Sequence, residues 1–217
     1  MSLELFLEIV DIIEKNLPKE SPLNQLKNSY KRNPYTILMA TLLSLRSKDE
    51  KTATITSKLF NHIQTPQELL DIPRERLEEI IKPIGFHKKK AKTLIEVSKI
   101  LIDKYNSKVP KEKKELLSIK GIGEKSANVV LNSAFGIPII AVDTHVHRLC
   151  NMWGVVKTKS DIETSKVLNR IVPKEYKSKI NTILVAFGQT ICKVNNPQCD
   201  KCPILDRCKR VNNCVII

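Results

Sequence analysis

Residues 116–143, LLSIKGIGEKSANVVLNSAFGIPIIAVD, constrain this chain more than any other stretch. An apolar turn runs into Lys120, Gly121, Ile122 and Gly123. Helical spacing follows, with Lys125 in the first turn and Ala127, Val129, Val130 and Leu131 able to face a core. Two glycines so placed let the backbone turn sharply and let another molecule approach closely. The amides of such a hairpin, with the N–H groups that open the next helix, converge on one small volume suited to a phosphate oxygen. An ordinary glycine-capped turn between helices has the same outline, so the setting must decide.

That setting is helical throughout. Leu3, Phe6, Ile9, Val10, Ile13 and Leu17 recur at helical spacing and predict a first helix ending near Pro18. The polar, basic stretch 19–32 reads as a connector. Residues 36–45 are apolar on nearly every face, which places that helix at the centre of its domain. Asp49 is a plausible cap for a helix through Phe60. Thr65-Pro66 and Ile72-Pro73 begin short helices, and the turn around Gly85 and Phe86 opens a long one whose start is crowded by Lys88, Lys89, Lys90 and Lys92. Cations there oppose the helix dipole unless an anion docks. Phe86, exposed in such a turn, is either core or a wedge between stacked bases. Further on, Val146, Leu149, Cys150 and Trp153 share a helical face, Ser160 and Glu163 have capping-box spacing, and Pro173 starts the last clear helix, near whose end stands Gly188. Alternating strand patterns of useful length are absent, so the fold class is all-α.

Charge narrows the partner. Thirty-seven Lys and Arg against 23 Asp and Glu give a net charge of +14 over 217 residues, a field that draws in polyanions and makes nucleic acid the leading candidate. No apolar run is long enough to span a membrane, and Glu4 and Glu8 stand where a secretory leader would have a basic start and an apolar core. An intracellular location, cytoplasm or nucleoid, is expected.

Two groups of residues carry chemistry. A neutral lysine amine attacks an electrophilic carbon such as an anomeric carbon and forms a Schiff base, and a neighbouring carboxylate stabilises positive charge on a sugar that is losing its base. Lys125 and Asp143 are the candidates, although on composition alone Lys125 also reads as a phosphate contact and Asp143 as the N-cap of a helix starting at Thr144. The second group is Cys192-x6-Cys199-x2-Cys202-x5-Cys208, four thiols within 17 residues. Such clustering in an intracellular chain favours a metal or cluster site over disulfides, and its spacing leaves zinc and iron–sulfur open. Cys150, on an apolar face, reads as a buried small hydrophobe, and Cys214 falls outside the set.

Taken together, residues 117–131, the sequence Val142-Asp143-Thr144-His145, the Leu42-Leu43-Ser44 helix with its polar continuation, and the cysteine spacing make the chain resemble the endonuclease III family of helix-hairpin-helix DNA glycosylases, from about residue 5 to residue 210. The resemblance implies two helical lobes with a DNA-binding cleft between them. One is a six-helix lobe with the helix-hairpin-helix, residues 27–137; the other is an iron–sulfur lobe, residues 1–26 and 138–217. It further implies that Lys125 is the nucleophile at C1′ and Asp143 its assisting carboxylate. Gly121, Ile122 and Gly123, flanked by Lys120, would hold the DNA backbone, with His145 beside Asp143 at the DNA, while Arg46 and Phe86 fill the gap left by an extruded base. Cys192, Cys199, Cys202 and Cys208 would ligate a 4Fe-4S cluster. The best-known members carry Gln where this chain has Arg46 and Leu where it has Phe86, and Glu124 stands where Arg is frequent.

The expected activity is that of a monomeric, bifunctional DNA glycosylase and AP lyase of base excision repair. Its substrate would be double-stranded DNA with an oxidised pyrimidine or an abasic site, nicked by β-elimination. The alternatives are a mismatch-specific glycosylase acting on thymine, uracil or adenine, which usually lacks a lysine at position 125, and a non-catalytic DNA-binding module, which has no use for Asp143.

Overall fold

The computed structural model describes residues 1–18 and 20–208. Among them the chain forms α1 (Leu3–Asn16), α2 (Pro22–Asn28), α3 (Pro34–Ser44), α4 (Asp49–Phe60), α5 (Pro66–Leu70), α6 (Arg74–Ile80), α7 (His87–Tyr105), α8 (Lys113–Ser118), α9 (Glu124–Phe135), α10 (Thr144–Met152), α11 (Asp161–Ile171) and α12 (Lys174–Thr190). Two 3-10 turns follow, Cys199–Lys201 and Leu205–Arg207, and the described residues form no strand. The all-α reading stands. The helices gather into two compact units, one of Pro22–Ile137 and one of Met1–Ser21 with the chain from Pro138 onward.

In the unit Pro22–Ile137 the centre is α3. Eight of its eleven residues are buried, so it has no face to offer to water and is covered by α4, α7 and α9. The few polar groups it brings inside are satisfied, as by the Tyr35 hydroxyl and Ser98 Oγ of α7 at 2.8 Å. Its start is fixed by a reciprocal cap. Asn33 Oδ1 accepts from the Thr36 amide and Thr36 Oγ1 accepts from the Asn33 amide, both at 2.9 Å, while Asn33 Nδ2 donates to the Gln64 carbonyl at 3.0 Å. α5 opens with the same device, Thr65 and Glu68. α5 and α6 pack on α7, and α8 packs on α9.

Two expectations are corrected here. The stretch 19–32 is not all connector: α2 packs against α4, burying Leu26, and Ser29 Oγ meets Thr56 Oγ1 at 2.8 Å. Seven residues cannot hold a helix by propensity, so this one exists because α4 covers it. Asp49 is the first residue of α4 and not its cap; Lys48 takes the cap position and makes no side-chain bond there.

In the other unit α1 and α10 both pack on α12, and α11 packs on α10. Trp153, just past α10, lies between Phe6 and Phe187 with ring centroids 6.4 and 6.1 Å away. Each such pair adds about 0.5–1.5 kcal/mol beyond the area buried. Around this core, the Met1 amine donates to the Gly154 carbonyl at 3.0 Å, Lys179 pairs with Asp11 and Glu14, and Arg207 pairs with Glu8 at 2.6 Å. These bonds tie Met1 to the turn after α10, α12 to α1, and the turn Leu205–Arg207 to α1. Among the described residues no helix is long and apolar enough to cross a membrane.

Removing the α3 cap should be costly, because the same side chain also fastens Gln64. Asn33→Ala is expected to lower the unfolding free energy by about 1–2 kcal/mol in denaturant titration, and a loss under about 0.3 kcal/mol would contradict the role given to the cap.

Candidate nucleic-acid interface and cysteine pocket

The hairpin before α9 is built from both sides. Ile119 and Ile122 are buried and the Ile122 amide donates to the Ile119 carbonyl at 3.1 Å, which anchors the turn while Lys120, Gly121 and Gly123 stay exposed. Gly121 has φ 101°, and a Cβ there would lie 2.8 Å from the Thr93 methyl group of α7, so only glycine fits. Ile122 therefore gives its side chain to the core and can meet a ligand only through its backbone. Gly123 is the N-cap of α9 and brings no side chain to cap it, so the positive end of the helix faces outward behind a bare backbone. Lys125 lies half-buried in the first turn of α9. Glu124, beside it, is ion-paired with Lys113 of α8, so its charge is answered within the protein.

Arg46 and Phe86 stand in two neighbouring turns. Both residues are left-handed, with φ 53° and 61°, and both are exposed, Phe86 to 61 %. Non-glycine residues rarely hold that conformation, and large ones hold it only where the surroundings enforce it. A Cβ on Gly85 would lie 3.9 Å from the Arg46 carbonyl oxygen, which sets the two turns side by side. One lysine of the cluster at the start of α7 is not solvated. Lys90 is buried, and its ammonium donates to the Leu43 carbonyl at 2.7 Å and to Ser47 Oγ at 2.6 Å. Burial pulls its pKa down to about 8. Lys88, Lys89 and Lys92 remain exposed.

The other unit holds Asp143, the N-cap of α10. Its Oδ1 accepts from the His145 and Val146 amides, each at 3.0 Å. His145 is half-buried and its ring lies on α12 at Gly188; a Cβ at Gly188 would come within 2.5 Å of Nδ1. Farther along α10, Arg148 donates to the Cys192 carbonyl at 2.5 Å and approaches Cys192 Sγ at 3.6 Å.

Cys192, Cys199, Cys202 and Cys208 line one recess of about 370 Å³, its open mouth included, with Trp153, Phe187, Ile191 and Ile204 behind them. Burial raises the Cys202 pKa above its ordinary value; an amide bond at Ile204 works against this, and the nearby Cys208, Cys192 and Cys199 reinforce it. Among the described residues no three His, Cys, Asp or Glu side chains are placed to grip one metal ion. Cys150 is fully buried, its thiol pushed up to about 12, as a small core hydrophobe should be. Cys214 lies outside the described residues.

Sequence reasoning missed the inward turn of Lys90, the Lys113–Glu124 pair and the seat of His145 on Gly188. Lys90 was one of four similar lysines, and nothing local marks the one that turns in. Gly188 did carry a signal, an isolated glycine inside a helix, following the apolar run Ile183–Phe187.

A hairpin on a left-handed glycine, an uncapped helix start with a lysine in its first turn, and a four-thiol recess are set in a helical chain that similarity places in a DNA-repair class. Residues 39–174 match the family model described as HhH-GPD superfamily base excision DNA repair protein. Endonuclease III of Thermotoga maritima is 38 % identical over 201 residues, 93 % of this chain and 92 % of that protein. A non-covalent endonuclease III–DNA complex is similar in structure with a TM-score of 0.87 and 35 % identity, covering 99 % of each chain. A trapped endonuclease III–DNA covalent intermediate gives 0.87 and 34 % over the same share of each. The chain belongs to the endonuclease III family within the HhH-GPD superfamily.

The contact between His145 and Gly188 is testable at once. Gly188→Ala should displace the imidazole and cost about 1–3 kcal/mol of unfolding free energy by overpacking, whereas unchanged stability and an unmoved histidine resonance in NMR would contradict the contact.

Proposed function

We propose that this chain removes oxidised pyrimidines from double-stranded DNA and then nicks the strand, with Lys125 as nucleophile and Asp143 as the assisting carboxylate. The observation that carries the reading is Lys125 in the first turn of α9, directly behind the exposed Gly121 and Gly123. A phosphate held by that backbone would set the adjacent sugar before the amine. The similarity to a trapped covalent DNA intermediate supports a nucleophilic amine over a water mechanism.

In this reading Lys120 and the hairpin backbone take the phosphates, and His145 lies by the DNA. Base extrusion costs a few kcal/mol of stacking, and Arg46 and Phe86 offset it by filling the gap. The Lys125 amine bonds to C1′ as the C1′–N bond to the damaged base breaks and the base leaves with a proton. Asp143, held by its two amide bonds, would supply the carboxylate that stabilises the charge developing on the sugar ring. The nitrogen lone pair then opens the C1′–O4′ bond, O4′ taking a proton, and the resulting imine acidifies C2′–H; loss of that proton expels the 3′ phosphate and leaves an unsaturated imine on Lys125, which water hydrolyses to the unsaturated aldehyde and the free amine. A mismatch glycosylase without lyase chemistry would make no use of a lysine at this position.

The four thiols are read as the ligands of a 4Fe-4S cluster, because all four line one recess with an apolar back wall. Such a cluster would cross-link residues 192–208 through four thiolate bonds. Arg148 would donate to one of the thiolates, and Trp153 and Phe187 would shield the site from water. Residues 27–137 would then be the hairpin lobe and residues 1–26 with 138–217 the cluster lobe. The protein is read as a monomer acting on DNA in the cytoplasm or nucleoid.

Two outcomes are expected. Lys125→Gln should lower cleavage at an abasic site by more than about a hundredfold while leaving DNA affinity within about threefold, and an unchanged cleavage rate would sink the assignment. The purified protein should be brown with about four irons and four sulfides per chain, and Cys202→Ser should lose most of that iron; a colourless protein with one zinc would overturn the cluster.

A further inference from the structure

Arg46 has no glycine to excuse its left-handed backbone, and the turn that holds it lies at the end of α3, where the last carbonyls lack amide partners. The turn closes on itself through the Ser47 amide and the Ser44 carbonyl at 3.0 Å. What encloses it is Lys90. Its ammonium bonds the Leu43 carbonyl just before the turn and the Ser47 hydroxyl just after it. A cation suits the negative end of α3, and two bonds from one group fix both flanks of residue 46 at once. Through its backbone the same residue holds the other turn: the Lys90 amide donates to the Phe86 carbonyl at 2.9 Å. The Lys90 side chain thus fixes the Arg46 turn, and its place in the first turn of α7 ties that turn to the helix start that carries Phe86. A buried ammonium is costly, and an apolar side chain of the same length would fill the space at less cost, so packing alone does not account for it.

We propose that Lys90 is the positioning residue that presents Arg46 and Phe86 for base extrusion. It touches neither the sugar nor the base, and acts by keeping both turns in the conformation that points their side chains outward. This rests on the reading of Arg46 and Phe86 as gap-filling residues. Steps that need the gap filled should depend on Lys90; the chemistry at an abasic site, where no base has to be extruded, should depend on it much less.

The test is a mutant cycle read on two substrates. Lys90→Met should lower kcat/KM on a fully paired oxidised thymine by roughly tenfold while changing cleavage of a preformed abasic site less than about twofold. In an Arg46→Ala/Phe86→Ala background the same change should have no further effect, because its means of action is gone. If Lys90→Met does not fold, Ser47→Ala, which removes one of the two contacts and leaves the core intact, should give a smaller loss with the same substrate split and the same lack of additivity. A tenfold loss that multiplies onto the double variant, or that falls equally on both substrates, would overturn the role of Lys90 alone. An Arg46→Ala/Phe86→Ala variant as fast as the parent on the paired lesion would overturn the gap-filling reading itself, and this proposal with it.

Discussion

The covering of α3 is the constraint on which the rest of its unit depends. A helix without a polar face is stable only when wrapped, and its wrapping is supplied by α4, α7 and α9. Two of those three carry the candidate functional groups at their first turns: Lys125 on α9, and Phe86 with Lys90 at the start of α7. The third group, Arg46, is where α3 itself stops. Burial of apolar surface therefore places three polar or exposed turns on a rigid base. Large-to-small changes in α3, costing about 2–5 kcal/mol each, would be felt at every one of them.

Helix ends set the local charge around these turns. α9 begins on a bare glycine backbone, α10 begins on Asp143, α3 ends on the Lys90 ammonium, and α7 begins with exposed lysines and no acidic residue in its first turn. Each is a place where partial charge from aligned peptides meets either an internal partner or an outward opening. The net charge of +14 gives the long-range attraction for a polyanion, and the open helix starts give it local geometry. Glu124, which by sign should oppose a phosphate, is held by Lys113 and contributes less to that field than the sequence suggests.

Much of this was legible in the residues, and the exceptions are physical. α3 could be read because nothing but burial accommodates seven apolar residues spread over every face of residues 36–45, and Asp143 could be read as a cap because a carboxylate before a helix has an evident partner in the amides two and three residues on. α2 escaped because seven residues leave no period to detect and its stability comes from α4. Ser160 accepts from the Glu163 amide as its spacing predicts, but Glu163 turns to the Lys159 amide and not to Ser160, a choice that local pattern does not encode. The thiol spacing announced a site, yet only the fold brings Trp153 and Phe187 behind it. Lys90 is the sharpest case, since a run of lysines looks uniformly solvated until a neighbouring helix end claims one of them.

The central claim, that the Lys125 amine forms the covalent bond to DNA, has a direct test. The protein is mixed with duplex DNA carrying one oxidised thymine, reduced with borohydride, digested, and the adduct is located by mass spectrometry. A deoxyribose remnant is expected on Lys125, in the tryptic peptide that begins at Gly121. A remnant on another lysine or on the Met1 amine, or base release with no adduct at all, would contradict it.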